Sequence, residues 1–182
     1  MEGDLGSCLN FESLRAQRKP KPYTTENFNN CFCLLGAAHV LWNLAQSIFL
    51  LHFGNPHDLD DRGAWRTLAA LGIPADQPVL KKDFTLMISN MKKIHNATIL
   101  KCLLVIMGSK EDNLQNNYLS MKSSDIQSLI ETCYCNYFSP AAISKSKDTP
   151  CHWNLMLRLR DFATVVECDR ALKMGDVDCM LY

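Results

Sequence analysis

The stretch from Cys151 to Tyr182 constrains the fold most strongly, because its apolar residues follow a helical period. The apolar side chains at positions 155, 159, 162 and 166 recur at intervals of three or four residues. This spacing places them on one face of an α-helix. Gly175 is suited to end the helix, since glycine adopts the left-handed conformation at little steric cost. We therefore expect a long C-terminal helix that packs through one apolar face.

Beyond this helix, Asp176 is placed to cap a second helix that runs from Val177 to the final residue, Tyr182. Nothing follows that could pack against so short a helix. The sequence therefore predicts a domain that is truncated at its C-terminus.

The rest of the chain shows the same helical spacing. Five further helices are predicted. They are Leu5–Arg18, Leu34–Phe53, one that follows a cap at Asp58 or Asp60 and runs through Ala64 to Leu71, Phe84–Met107 (capped by Asp83) and one from Ser123 or Ser124 to Phe138, ended by Pro140. No run alternates between apolar and polar residues with a period of two, so no strand is predicted. We expect a mainly α fold, an irregular bundle of about six helices. Residues 1–22 are predicted to form a short helix and a basic linker, and residues 23–182 the helical domain.

The apolar stretch from Leu34 to Phe53 is long enough to raise the question of a membrane crossing. It carries a polar stripe, defined by His39, Asn43, Gln46 and Ser47. In a bilayer, polar groups along a whole helix face would all need partners. The sequence therefore favours a buried helix with one polar side and no association with a membrane.

The composition indicates an intracellular protein. Of the 182 residues, 47% are apolar, which is enough for one core, and the formal net charge is +0. A neutral chain has no general affinity for nucleic acid or for an anionic membrane. The 9 cysteines are odd in number, and the first thirty residues lack the apolar core of a signal peptide. We expect free thiols and a protein of the nucleus or cytoplasm that is not secreted.

Two Cys-x-Cys pairs, Cys31 with Cys33 and Cys133 with Cys135, are the most conspicuous metal-ligand pattern. Their spacing is tighter than the two to four intervening residues usual at zinc sites, and in a helix the two thiols point about 200° apart. Packed thiols are therefore favoured over zinc ligands. The sequence also contains no H-E-x-x-H motif, phosphate loop or nucleophile elbow.

A cluster of cations precedes the first prolines of the chain. Within seven positions it contains Arg15, Arg18, Lys19 and Lys21. A solvated loop, a contact to nucleic-acid phosphates and a nuclear-import patch would all fit this pattern.

Glu167 is the carboxylate whose position most requires an explanation, because apolar residues precede it in the predicted helix. A buried carboxylate needs a cation, hydrogen bonds or a metal. Arg160 and Arg170 can reach the same side of the helix, so the side chain is either half of an ion pair or a metal ligand. Asp161 and Asp169 are expected to be ordinary surface charges.

Four separated blocks of the sequence resemble an uncharacterised family of eukaryotic proteins, a domain of unknown function that occurs in transposon-derived proteins. The blocks are LLGAAHVLWNLAQSIFLLHFG, GAWRTLAALGIPAD, KKDFTLMISNM and LRDFATVVECDRALKMGDV. Its members are similar to transposases of the ribonuclease-H-like type, in which three acids bind two divalent metal ions. The resemblance covers the chain from about Gly3 onward.

This resemblance implies that Asp4 and Glu167 are catalytic acids and ligands of Mg²⁺, separated by a long helical insertion. The first acid of such a site would lie before Met1, so the chain is expected to be catalytically incomplete. Two functions remain open. The chain is either a fragment of a transposase-like nuclease or a non-enzymatic helical module that binds DNA or another protein. In the second case, the basic linker and the polar stripe would supply the contacts.

Overall fold

The computed structural model describes residues 2–18, 23, 26, 28–31, 34–58, 60–75, 84–108 and 121–176. The chain divides into two compact units. The first comprises residues 1–44 and 169–182, and the second comprises residues 45–168.

Helices dominate the described residues, and the predicted mainly α, irregular helical bundle is confirmed. In chain order the elements are β1 (Glu2–Gly3), α1 (Leu5–Gln17), β2 (Leu34–Leu35), α2 (Ala37–Phe53), α3 (Ala64–Ala70), α4 (Phe84–Ile106), α5 (Ser123–Cys133), a π-helical turn (Tyr134–Phe138), α6 (Pro140–Lys145), a 3₁₀ turn (Ser146–Asp148) and α7 (Pro150–Met174). The sequence missed α6 and the two short strands. Each strand has only 2 residues, too few for an alternating pattern to be visible.

The first unit contains a parallel pairing of β1 with β2, in which Glu2 lies opposite Leu34. The adjacent backbone extends the contact, since the Gly36 N–H donates to the Gly3 carbonyl oxygen at 2.7 Å. Directly after β1, Asp4 caps α1, and its Oδ1 accepts from the Ser7 N–H at 2.7 Å. A carboxylate at this position satisfies a backbone donor that the first turn of a helix leaves without a partner.

The second unit has a core of apolar side chains from α2, α3, α4 and α7. The Phe49 ring contacts those of Phe53 and Phe162 at centroid distances of 5.6 and 6.1 Å. Its largest fully buried side chains are Phe49, Phe53, Leu68, Met91, Ile94, Met156, Phe162 and Val165. Each side chain of this size contributes about 1.5–3 kcal/mol when it is removed from water, so this core fixes the four helices to one another.

A smaller cluster joins α4, α5 and α7 within the same unit. Cys102, Cys133 and Leu159 are buried there, and Tyr137 and Phe138 of the π-helical turn pack against them. Cys133 is buried whereas Cys135 is exposed, which confirms that the two thiols of this pair point apart.

Two helices begin differently from the prediction. The N-cap of α3 is Gly63, and neither Asp58 nor Asp60 caps it. The N-cap of α5 is Lys122, which makes no side-chain capping hydrogen bond. Both helices belong to the packed second unit, where tertiary contacts stabilise short helices more than a cap does. The predicted cap Asp83 lies outside the described residues.

The helical run that begins with α5 ends at Phe138, just before Pro140, as predicted, but Pro140 also begins a further helix that the sequence did not predict. The α5 helix passes into the π-helical turn, in which the Ser139 N–H donates to the Tyr134 carbonyl oxygen at 3.0 Å. Ser139 then caps α6 by accepting from the Ala142 N–H at 3.2 Å. Proline is well suited to the first position of a helix, because the N–H that it lacks would have no partner there.

The polar stripe of α2 faces solvent at His39, Asn43 and Ser47, as predicted. Apolar residues that were expected to be covered are exposed as well, and Val40 and Leu51 are 51% and 74% accessible. The helix begins at Ala37 and not at position 34, because residues 34–35 pair with β1. Among the described helices, none combines the length and the apolar character that a bilayer crossing requires.

The end of α7 agrees with the prediction. Gly175 has a φ of 69°, and the Asp176 N–H donates to the Ala171 carbonyl oxygen at 2.9 Å. This is the Schellman arrangement, which satisfies the last carbonyl groups of a helix through a left-handed glycine. The second helix predicted after position 176 lies outside the described residues.

Candidate anion-binding site

The loop from residue 54 to 63, between α2 and α3, returns on itself so closely that its first and last residues touch. A Cβ atom on Gly63 would lie 2.6 Å from the Gly54 Cα atom and would overlap the Phe53 carbonyl oxygen. Gly54 itself has a φ of 84°, which favours glycine. The two glycines therefore allow α3 to start beside the end of α2.

Asp61 holds this loop closed. Its carboxylate accepts hydrogen bonds from the Asn55 N–H at 3.0 Å, from the Gly63 N–H and from the Trp65 indole N–H at 3.3 Å. Burial alone would raise the pKa of the Asp61 carboxyl, but these hydrogen bonds and the positive charge of Arg158 together hold the pKa below its ordinary value. The carboxylate is therefore ionised, and much of its accepting capacity is used within the loop.

Arg158 of α7 is a buried cation beside this loop, and only 6% of it is accessible. Its Nη1 donates to the Arg62 carbonyl oxygen at 2.9 Å. Within the described part of the chain, this is its only hydrogen bond, and no carboxylate lies at ion-pair distance from it. Burial lowers the pKa of the guanidinium, and the charge of Asp61 opposes that effect. Arginine nevertheless stays protonated in proteins, so a positive charge is held inside the unit.

Arg158 lines two clefts, which have volumes of about 470 and 620 Å³. They share four lining residues, Arg62, Cys151, Leu155 and Arg158. The smaller cleft is mixed in character, since His52, Asp60, Asp61 and Asn154 also line it.

The larger cleft, which we call the basic cleft, brings together cations from three helices and a loop. They are Arg62, Arg66, Lys101 and Arg158. None of the described residues that line it is acidic. Three hydroxyl side chains, those of Thr67, Thr98 and Thr149, line it as well, and that of Thr98 already donates to the Ile94 carbonyl oxygen at 2.7 Å. The lining is therefore electropositive and carries hydrogen-bonding groups suited to an anion.

The N-terminus of α7 adds to this positive potential. Thr149, Cys151 and His152 line the basic cleft at the point where the helix begins. The first N–H groups of a helix lack partners within it, and its dipole places about half a positive charge at that end.

The carboxylates of α7 do not lie where the sequence placed them. Glu167 is exposed, so it is not the buried acid that its neighbours suggested. Asp169 is 6% accessible and accepts from Lys173 Nζ at 2.9 Å. Asp161 pairs with His52, at 2.8 Å between Oδ2 and Nε2. The expectation that Asp161 and Asp169 are ordinary surface charges is therefore wrong.

The physical reason is the rotation of α7. Its buried positions include Arg158, Phe162, Val165 and Asp169, which follow one another at intervals of three or four residues. This stripe contains an arginine and an aspartate, and Glu167 does not belong to it. A pattern based on apolar residues alone cannot locate such a face.

Asp4 caps α1 in the first unit, whereas Glu167 belongs to the second unit. Both residues make further interactions, and their assignment as catalytic acids and Mg²⁺ ligands stays a prediction. In the described ranges, no three residues among His, Cys, Asp and Glu are grouped as metal ligands would be.

The predicted nucleic-acid contacts of the basic linker are described only in part. Arg15 donates to Glu12 at 3.4 Å and to Asn29 at 3.3 Å. The Arg18 guanidinium lies 4.9 Å from the centre of the Phe28 ring, a cation–π contact. The predicted contacts Lys19 and Lys21 lie outside the described residues. Two of the four cations therefore contact other side chains of the first unit.

The basic cleft was not predicted from the sequence. Its four cations lie at positions 62, 66, 101 and 158. The first and the last, Arg62 and Arg158, are 96 residues apart in the sequence. No local cluster marks them.

The basic cleft lies on a helical scaffold, and its described lining carries four cations and no acidic side chain. The chain belongs to DUF6589, a family of unknown function whose model matches residues 1–182. Neither a curated protein nor a solved structure matches it. The family membership confirms the resemblance to a domain of unknown function. The transposon-derived origin stays a prediction.

Proposed function

We propose that this DUF6589 chain is a non-enzymatic, nucleic-acid-binding module that holds the phosphate groups of DNA in its basic cleft. One observation carries the proposal: four cations converge on a cleft whose described lining contains no acid. Phosphate contacts from arginine and lysine supply most of the affinity of sequence-independent nucleic-acid binding.

The neutral overall charge supports a local site. With a formal net charge of +0, the chain cannot attract a polyanion through its total charge. Binding must depend on the place where cations are concentrated. Arg62, Arg66 and Arg158 carry planar guanidinium groups, which can bind phosphate oxygens in a bidentate manner.

The proposal is tested by fluorescence anisotropy with labelled single- and double-stranded DNA over a range of salt concentrations. Lys101→Gln removes one cation of the cleft and keeps most of the side-chain length. We expect this variant to bind several-fold more weakly, with a slope of log K against log salt that is smaller by about 1. Lys93→Gln is the matched control, because Lys93 is an exposed lysine of the same helix and does not line the cleft.

Equal losses of affinity for Lys101→Gln and Lys93→Gln would contradict the assignment of the basic cleft. If the wild-type chain binds no DNA at low salt, the proposal is wrong as a whole, and the interpretation as a protein-binding module becomes the better one.

The nuclease alternative rests on the block resemblance. When bound, Mg²⁺ would supply charge stabilisation and an activated water. This chain offers two of the three acids expected, Asp4 and Glu167, and Asp4 Oδ1 already accepts from the Ser7 N–H. We favour the binding module because the four cations of the basic cleft carry it.

A further inference from the structure

The charge of Arg158 is poorly compensated for a group so deeply buried. Its guanidinium has five N–H donors, yet its one hydrogen bond to the described residues goes to the Arg62 carbonyl oxygen. The nearby Asp61 carboxylate receives three other donors. A buried cation without an ion pair is costly, and an anion that entered the cleft would reduce this cost.

The position of Arg158 on α7 directs it towards the helix start. Cys151, Leu155 and Arg158 are spaced at i, i+4 and i+7, and all three line the basic cleft. Helical side chains lean towards the N-terminus of their helix. The cleft therefore combines a guanidinium group with the first turn of α7, two features that each bind phosphate.

Because Arg158 is deeply buried, a terminal phosphate group can reach it more easily than an internal one. An internal phosphodiester has a strand leaving from both sides, which hinders its approach to a group that is 6% accessible. A terminal phosphate monoester has a single ester bond and enters end first. It also carries about −1.5 to −2 charges and three free oxygens. A cleft of about 620 Å³ has the volume of a small-molecule site, enough for a strand end.

We infer that the basic cleft contains a discrete site for a phosphate monoester at the end of a nucleic-acid strand, with Arg158 as its deepest donor and Arg62, Arg66 and Lys101 around it. This inference rests on the proposed function and adds the chemical class of the ligand. Its source, a strand end or a free mononucleotide, is distinguished by experiment.

The test compares three probes with the full chain. They are a labelled single-stranded oligonucleotide with a 5′-phosphate, the same oligonucleotide with a 5′-hydroxyl, and 5′-dAMP as an unlabelled competitor with deoxyadenosine as its control. We expect the phosphorylated strand to bind at least tenfold more tightly, and dAMP but not deoxyadenosine to displace it.

Arg158→Lys keeps the charge and loses the forked donor group. We expect the ratio of the two oligonucleotide affinities to fall close to one, whereas Lys101→Gln weakens both strands and leaves a clear preference for the phosphate. Thermal melting checks that Arg158→Lys is folded. The competition with dAMP uses only the wild-type chain, so it tests the site even if this variant does not fold.

The outcomes separate the two proposals. Equal binding of the two oligonucleotides, with no displacement by dAMP, would overturn the monoester site and leave DNA binding in place. A shift of the melting temperature by dAMP without binding of either oligonucleotide would support the phosphate site and overturn the nucleic-acid function. Binding of none of the probes would overturn both.

Discussion

Replacing Asp61 with alanine should destabilise the chain more than any other change to an acidic residue of the loop between α2 and α3. The substitution removes the acceptor for the Asn55, Gly63 and Trp65 donors. Hydrogen bonds to a charged group contribute about 1.5–3 kcal/mol each. Asn55 is exposed, so its N–H can regain a bond to water and the three contributions do not add in full. We expect a loss of about 2–4 kcal/mol in the free energy of unfolding.

Asp60→Ala is the matched control. Asp60 is exposed and adjacent, and it lines the same mixed cleft as Asp61. Surface substitutions of this kind usually change stability by less than about 0.5 kcal/mol. Urea denaturation at pH 7, followed by circular dichroism, measures both variants. If the midpoint of Asp61→Ala fell no further than that of Asp60→Ala, the loop would not depend on this carboxylate.

The effect of Asp61→Ala on the free energy of unfolding should depend on pH. The pKa of Asp61 is lower in the folded chain than its ordinary value, so the folded state favours the ionised form. The resulting stability is present above the unfolded pKa of about 3.9 and is lost as the pH falls through the lower folded pKa. Between pH 5 and the acid limit of the fold, Asp61→Ala should therefore lose less stability than the wild type. Parallel curves would show that the carboxylate is not preferentially ionised in the fold.

Two further changes test other parts of the second unit. Gly63→Ala places a Cβ atom against the Phe53 carbonyl oxygen and should cost about 3 kcal/mol. Gly72→Ala is the control, because a Cβ atom there would meet no atom within 4 Å, at a φ of 69°. It should cost only about 1 kcal/mol. Equal shifts of the urea midpoint for the two variants would refute the steric argument. His95 is 7% accessible, its Nδ1 has no partner among the described residues, and burial lowers its pKa. Stability should therefore be complete above the ordinary pKa of about 6.5 and decline as the pH falls through the lower folded pKa. Between pH 7 and 5, the melting temperature of His95→Met should depend less on pH than that of the wild type. His152→Gln, at an exposed position, should show the same pH dependence as the wild type.

The helices were predictable where apolar spacing is long and regular. The pattern from position 84 to 107 corresponds to α4, and Gly175 ends α7 as expected. The sequence could not show that Pro140 begins a helix. A proline just after one helix and a proline at the first position of the next helix have the same local sequence pattern. The π-helical turn and the Ser139 cap place it at the start of α6.

The candidate site was not predictable, because its residues acquire their role through tertiary contacts. The interpretation of α7 assigned its apolar residues and Glu167 to the core, and Asp161 and Asp169 to solvent. The structure buries Arg158 through a loop carbonyl oxygen and Asp169 beside Lys173, and it exposes Glu167. Whether a charge is buried depends on partners elsewhere in the fold, and no spacing rule contains them.

The cluster at the junction of α4 and α5 has a consequence for oxidative chemistry. Burial, together with the neighbouring Cys133, raises the pKa of the Cys102 thiol to about 11, so almost no thiolate forms there at neutral pH. Oxidants should reach the exposed sulfurs of Cys135 and Cys151 first and form sulfenic acid there. The sulfurs of Cys102 and Cys133 become reactive only when α4 and α5 separate, so their modification reports unfolding. Modification of Cys151 instead reports access to the two clefts that this residue lines.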